Sequence, residues 1–238
     1  MVETVSTEEF TTGAVRRKPE SFEFVRFRID SGVARLTLNR PDHNLLNEAM
    51  LREIADGIVF AGEHDDVKLI AIDSACKVFS GGVDIGEYTT QRVYQMLEAF
   101  HAAFAAMLEA SKPVLCVING PAIGGGAELA AFGDLVIATP KARFAQPEIT
   151  IGVFPPLAST ILPFLVGPKR ALEIILTANR LPPSARLNSA WSLVSFPKPS
   201  STPPSRNSSS VSPRTPARFS PWPRKPSSEV TDSPSVKA

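Results

Sequence analysis

Two glutamates twenty positions apart carry the chemistry this sequence can do: Glu128, closing Gly124-Gly125-Gly126-Ala127-Glu128, and Glu148, closing Phe144-Ala145-Gln146-Pro147-Glu148. Each follows a backbone-bending signal. Paired carboxylates suit acid/base work, because unequal burial and mutual repulsion can hold one protonated while the other stays ionised. Read singly, both have plainer explanations. Glu128 favours a helix macrodipole, and Glu148 after Pro147 is an N-terminal helix or turn acid.

Two glycine loops change that balance. Val117-Ile118-Asn119-Gly120-Pro121-Ala122-Ile123-Gly124-Gly125-Gly126 sets small residues between a buried strand and a helix start, where free N–H groups and the positive dipole end could hold an oxyanion. Phe79-Ser80-Gly81-Gly82-Val83-Asp84 leaves the preceding strand, so N–H groups from two loops could cradle one oxygen. Such a pair would stabilise the enolate oxygen formed when a thioester is attacked at Cβ, by about 3–4 kcal/mol per donor.

Rigid elements must hold these loops. Phe22, Phe24, Phe27 and Ile29, then Val33, Leu36 and Leu38, flank the turn Asp30-Ser31-Gly32 and predict a hairpin. Leu51, Ile54, Ala55, Ile58 and Val59 recur at helical spacing before the strand-like run Val67 to Ile72. Val93, Met96, Leu97, Phe100, Phe104, Met107 and Leu108 do the same before Pro113 to Ile118. There follow a short helix around Ala127–Phe132, a strand Leu135 to Ala138, an irregular Pro-containing segment, and helices near 157–166 and 169–177. The alternation predicts an α/β core, with no internal repeat of 20 to 50 residues visible.

Of 238 residues, 43% are hydrophobic, enough for one sizeable core. They are unevenly spread. From Leu181 to Ala238, 12 of 58 residues are Pro and 16 are Ser, none is Gly, and eight Lys/Arg face only Glu229 and Asp232. That composition predicts a disordered extension. Residues 1–180 then hold 17 basic and 22 acidic side chains, so a near-neutral chain averages an acidic body with a basic tail. The expected organisation is a flexible N-terminus over 1–20, a core over 21–181 and a Pro/Ser/Arg-rich tail over 182–238.

Cys76 and Cys116 sit in apolar stretches and read as buried free thiols, which fits a reducing cytosol. Residues 1–20 contain no apolar targeting segment, and no stretch reaches the length of a membrane span. The expectation is a cytoplasmic protein with no membrane or nucleic-acid partner, since the basic tail has little aromatic interleaving beyond Phe219 and Trp222. His43, His64 and His101 have no second ligand at metal spacing, so no metal site is expected.

In order and spacing, Phe79 to Asp84, Gly124 to Ala130 and Phe144 to Ile149 resemble the enoyl-CoA hydratase/isomerase (crotonase) superfamily. The likeness runs from about Ser21 to Arg180 and includes Leu38-Asn39-Arg40-Pro41 and Asn44-Leu45-Leu46-Asn47. The resemblance implies a crotonase-like superhelix of stacked ββα turns and an acyl-CoA substrate, with coenzyme A as part of the substrate and no separate cofactor. It implies that the amides of Val83 and Gly125 form the oxyanion hole. Glu128 and Glu148 would then hold the water that adds across the double bond, Glu148 being the preferred Cα proton donor.

Hydratases of this superfamily keep both glutamates, whereas many isomerases, decarboxylases and hydrolases keep one or neither. The loop with Ser80, Gly81, Asp84 and Ile85, together with Asn44 and Leu45, would line the coenzyme A path, with Lys77 near phosphate. A lone lysine is more often a solvated charge.

Linear-chain hydratases carry Pro-Gly-x-Gly-Gly where this chain has Pro155-Pro156-Leu157-Ala158-Ser159, and Pro156 has no N–H to offer. Gly152 to Pro156, with Gly86-Glu87-Tyr88, is similar to the cyclohexa-1,5-diene-1-carbonyl-CoA hydratases. The alternatives are enoyl-CoA isomerisation, acyl-CoA hydrolysis, or an inactive acyl-CoA-binding remnant.

The superfamily assembles as trimers or hexamers through C-terminal helices that also roof the acyl pocket. Residues beyond about Leu181 do not match those helices, and their composition is that of a GC-rich coding region read out of frame.

Overall fold

The computed structural model describes residues 16–178 and the backbone of a two-residue strand, Val194–Ser195. Strands β1 (Val25–Asp30) and β2 (Val33–Leu38) form the expected antiparallel hairpin. Its turn places Ser31 and Gly32 at φ 50° and 78°, the positive values that a twisted two-residue hairpin connection requires.

After the hairpin come β3 (Leu45–Leu46), α1 (Glu48–Glu63), β4 (Leu69–Ser74), β5 (Gly82–Val83) and α2 (Val93–Glu109). Next are β6 (Val114–Ile118), β7 (Pro121–Ile123), α3 (Gly125–Phe132), β8 (Leu135–Ala138) and β9 (Arg143–Ala145). The described body ends with α4 (Pro156–Val166) and α5 (Pro168–Thr177), and Val194–Ser195 is β10.

The main sheet has the order β1-β2-β4-β6-β8-β10 and is parallel apart from its first pair. A second layer of short strands pairs β3 with β5 and β7 with β9, and a bridge from Ser80 to Ala122 links the two pairs. Over the described residues the chain therefore runs four times through long strand, short strand and helix, with units starting at Val33, Leu69, Val114 and Leu135. No sequence period betrays this, because the units differ in length and the short strands are too brief to show alternation.

The sheet is buried on the side chains of Leu36, Leu38, Ile70, Ile72, Cys116 and Ile118, all at 0% exposure. Burial pushes the Cys116 thiol up to about 12. Helix α1 lies close on β2 through Gly57, where a Cβ would stand 2.9 Å from Leu36 Cδ2. Phe104 packs against Phe100 with the rings tilted and 4.7 Å apart, and meets Phe132 edge-on at 5.0 Å, tying α2 to α3.

Glu53, fully buried in α1, accepts the N–H groups of Glu23, Phe24 and Val25 at 2.8, 2.8 and 2.9 Å, anchoring the entry to the hairpin. Residues 16–20 fall within the stretch expected to be flexible, yet they are tied to α1. Arg16 pairs with Glu63 at 2.7 Å, and the Arg17 N–H donates to Asp56 at 3.0 Å. Residues 1–15 lie outside the described residues.

The segment read as irregular contains β9 and a 3-10 turn, Glu148–Ile151. Within the extension expected to be disordered, Val194–Ser195 pairs in parallel with Ile137–Ala138. The rest of that extension lies outside the described residues. Among the described residues no helix is long and apolar enough to cross a membrane.

Candidate active site

Glu128 is placed by the turn that starts α3. Gly124, at φ 52° and ψ −127°, caps the helix, donates its N–H to Ala145 O at 2.8 Å and accepts from the Glu128 N–H at 2.9 Å. The Glu128 side chain points inward, leaving the residue only 2% exposed. Its Oε1 accepts the N–H groups of Leu157 and Ala158 at 3.0 and 2.7 Å.

Those donors belong to the first turn of α4, which Pro156 opens. Proline is suited to that first position, where the N–H has no intrahelical acceptor, and Pro155 before it provides no side-chain cap. Glu128 therefore supplies from another element the anion that this helix terminus favours. Burial outweighs these contacts and lifts the carboxyl to about 7; the Glu148 charge adds to the rise, while the Leu157 and Ala158 N–H groups oppose it.

Glu148 opens the 3-10 turn directly after Pro147 and is half-buried. Its Oε1 lies over Gly124, where a Cβ would approach to 2.5 Å. The adjacent Gln146 is 1% exposed, and with its amide nitrogen turned toward Glu148 it donates to Oε2 at 3.1 Å and Oε1 at 3.3 Å. Burial raises the Glu148 carboxyl above its ordinary value. Glu148 thus lies over the glycine that caps the helix carrying Glu128, its charge reaches the Glu128 carboxyl, and both acids are buried enough to titrate upward.

The amides of Val83 and Gly125 come together beside them. Asp84 donates its N–H to Leu46 O at 2.9 Å, so in extended β5 the Val83 N–H points to the opposite side, away from β3. On that side a Cβ at Gly125 would stand 3.6 Å from Val83 N and 2.7 Å from Val83 Cγ2. Gly125 is the first residue of α3, so its N–H has no intrahelical acceptor. Gly82 reaches φ 103°, and a side chain there would strike Ile123 O at 2.9 Å, so the close approach of the two loops depends on glycine.

The remaining predicted residues divide into enclosed and exposed. Asn44 is at 0% exposure and its side chain is spent on the protein: Oδ1 accepts from Arg40 N at 2.7 Å, and Nδ2 donates to Ser74 Oγ at 2.8 Å and Phe79 O at 3.0 Å. Ser80, equally buried, donates to Asn44 O at 2.8 Å and accepts from Gly82 N at 3.1 Å. Leu45 is half-buried in β3 against Gly81, and Asp84 pairs with Arg40 at 2.8 Å. Ile85 is 67% exposed and Lys77 is exposed.

Several participants escape a reading of residue types. The Leu157 and Ala158 amides that hold Glu128 were signalled only by the double proline at the start of α4. Gln146 lay inside a recognised motif without a role. Tyr88, half-exposed after the 3-10 turn Ile85–Glu87, has its phenol raised by burial and then by the charges of Glu128 and Glu148, so its protonated hydroxyl stands in the field of both acids. The assembled groups are two acids of raised pKa, two adjacent amides and a neutral phenol, a set able to polarise a carbonyl and move two protons.

Known proteins share this arrangement of chain. A family model described as enoyl-CoA hydratase/isomerase matches residues 28–193. The cyclohexa-1,5-dienecarbonyl-CoA hydratase of Thauera aromatica is 36% identical over 61% of this chain and 57% of its own length. A probable enoyl-CoA hydratase of Mycobacterium leprae is 36% identical over 61% of this chain and 58% of its own. The chain thus spans less than two thirds of the length of these relatives.

Among solved structures, Pseudomonas aeruginosa DspI superposes with a TM-score of 0.70 at 28% identity, covering 75% of this chain and 71% of that one. An enoyl-CoA hydratase of Mycobacterium avium subsp. paratuberculosis gives 0.66 at 28%, covering 74% and 69%. With the family match extending over more than half of its length, this chain belongs to the enoyl-CoA hydratase/isomerase family and has the α/β crotonase fold.

Proposed function

We propose that the site adds water across the double bond of an α,β-unsaturated acyl-CoA. The observation that carries this reading is that Glu148, lying over Gly124, is near enough for its charge to raise the Glu128 carboxyl, beside the paired amides of Val83 and Gly125. The thioester oxygen accepts from both amides, which draws electron density from Cβ. Glu128, ionised and held through Oε1 by α4, takes a proton from water at Oε2 while the water oxygen bonds to Cβ. Glu148, protonated, gives its proton to Cα as the enolate collapses. The substrate gains one water with no change of oxidation state; Glu128 is left protonated and Glu148 ionised, and return of that proton from Glu128 to Glu148 through solvent restores the starting state.

The acyl group proposed is cyclohexa-1,5-diene-1-carbonyl, supported by the likeness to the Thauera aromatica hydratase. The coenzyme A moiety would run along the backbone of the Ser80–Ile85 loop and the Asn44-Leu45 segment, with exposed Lys77 toward phosphate. Asn44 and Ser80 are enclosed as whole residues, so the contact surface proposed is the exposed Ile85 with the partly exposed Leu45 and Gly81.

The test is incubation of the full chain with cyclohexa-1,5-diene-1-carbonyl-CoA and with crotonyl-CoA, following enoyl-thioester absorbance and product mass. Gain of one water with the diene substrate, abolished by Glu128→Gln and by Glu148→Gln, is expected. Rearrangement without a mass change would make the chain an isomerase, release of free coenzyme A a hydrolase, and binding without turnover an acyl-CoA-binding remnant. Size-exclusion chromatography with light scattering addresses assembly, for which a trimer or hexamer is the proposal.

A further inference from the structure

The motif Leu38-Asn39-Arg40-Pro41 has no part in the reaction described above, yet its arginine reaches the residue after Val83. Arg40 Nη2 donates to Asp84 Oδ2 at 2.8 Å, and Nη1 donates to the Leu45 carbonyl at 2.8 Å. Its backbone N–H is held by Asn44 Oδ1 at 2.7 Å, and the guanidinium lies 5.7 Å from the centre of the Phe24 ring. Both partners of the ion pair are largely enclosed, with side chains 26% and 19% exposed.

This one planar group therefore joins two strands of the short layer. Leu45 belongs to β3, whose register sets Leu46 opposite Val83, and Asp84 directly follows Val83 in β5. Asp84 is also fixed from the other side: its Oδ1 accepts the Gly86 N–H at 3.1 Å. A second consequence is electrostatic. Asp84 places a carboxylate one residue from an amide that must stabilise a negative oxygen, and the guanidinium neutralises that carboxylate where it stands.

Resting on the oxyanion role given to Val83 above, we propose that Arg40 is a positioning residue for that site. By bridging the Leu45 carbonyl and the Asp84 carboxylate, it fixes the Val83 amide and cancels the charge beside it. Lysine cannot substitute fully, because a single ammonium lacks the fork that spans two acceptors.

A conjugated dienoyl thioester, sorbyl-CoA, reads carbonyl polarisation directly, since its absorbance moves to longer wavelength when the thioester oxygen is hydrogen-bonded. The full chain is compared with Arg40→Met, Arg40→Lys, the double variant Arg40→Met/Asp84→Asn, and Arg35→Met. The last breaks a different inter-strand ion pair, with Asp73.

Arg40→Met is expected to lose most of the shift and about tenfold to a hundredfold in kcat, with KM changed far less. Arg40→Lys should retain part of the shift, the double variant should recover part of it, and Arg35→Met should keep it whole. The proposal is overturned if Arg40→Met keeps the wild-type shift and kcat, or if Arg35→Met loses as much. Should Arg40→Met fail to fold, a full wild-type shift in Arg40→Lys overturns it. Absence of any shift in the wild-type chain overturns the oxyanion reading itself, and this proposal with it.

Discussion

The Glu148 carboxylate lies over the α-carbon of Gly124, so close that a β-carbon there would stand 2.5 Å from Oε1. Gly124 also accepts the main-chain N–H of Glu128, so the glycine beneath one acid caps the helix that carries the other. Gly124→Ala must push Glu148 aside and hold an L-residue at φ 52° and ψ −127°. The expected result is a stability loss of about 1–3 kcal/mol and a loss of about a hundredfold in kcat. Urea unfolding and steady-state kinetics measure the two, and wild-type turnover in the alanine variant would remove Gly124 from the account.

Burial of Glu128 makes stability depend on pH in a stated direction. Its carboxyl titrates at about 7 in the folded chain against 4.5 in the ordinary case, so the folded chain binds this proton more tightly. The stabilisation is complete below 4.5 and is lost as pH rises through about 7. Glu128→Gln keeps an oxygen for the Leu157 and Ala158 N–H groups but does not titrate. Between about pH 5 and pH 8 the variant should gain on the wild type by about 2–3 kcal/mol. A constant difference between the two unfolding curves would show that Glu128 does not titrate upward.

Gln146 offers a way to tell acid from base. Its amide donates to the ionised form of Glu148 and so favours ionisation. Gln146→Met withdraws that donor and should raise the Glu148 carboxyl further. With Glu148 as the proton donor, the alkaline limb of the kcat profile moves to higher pH, while the acid limb of kcat/KM, belonging to Glu128, stays near about pH 7. Movement of the acid limb instead would exchange the two roles.

Glu53 serves stability alone. It is fully buried and accepts three backbone N–H groups, with Arg17 Nη1 at 3.6 Å from Oε1. Glu53→Gln turns an acceptor into a donor facing an N–H. A loss of about 2–3 kcal/mol is expected from chemical unfolding, without change in KM. An unchanged midpoint would mean that the hairpin entry is held by other contacts.

The long elements were legible because their apolar spacing reflects real burial: Leu51, Ile54 and Ile58 are all at 0% exposure on α1. The convergence of Glu128, Glu148, Val83 and Gly125 could be anticipated from glycine loops and motif order. The short layer could not. Leu45–Leu46 and Gly82–Val83 are each two residues, below any period, and their pairing is a long-range contact. Arg40 and Gln146 were hidden for a related reason: each acts through a neighbour, and a side chain's type does not say whose carboxylate it will meet. The role of Glu53 was equally silent, since a charged residue on an amphipathic helix usually faces water.

Because Oε1 of Glu128 holds the opening amides of α4, a proton arriving at this carboxylate weakens the anchor of a helix as well as spending a base. Protection from hydrogen–deuterium exchange at positions 157 and 158, taken relative to the intrinsic rate at each pH, should therefore fall as the acid fills, turning two ordinary backbone amides into a gauge of the proton inventory in the cavity next door.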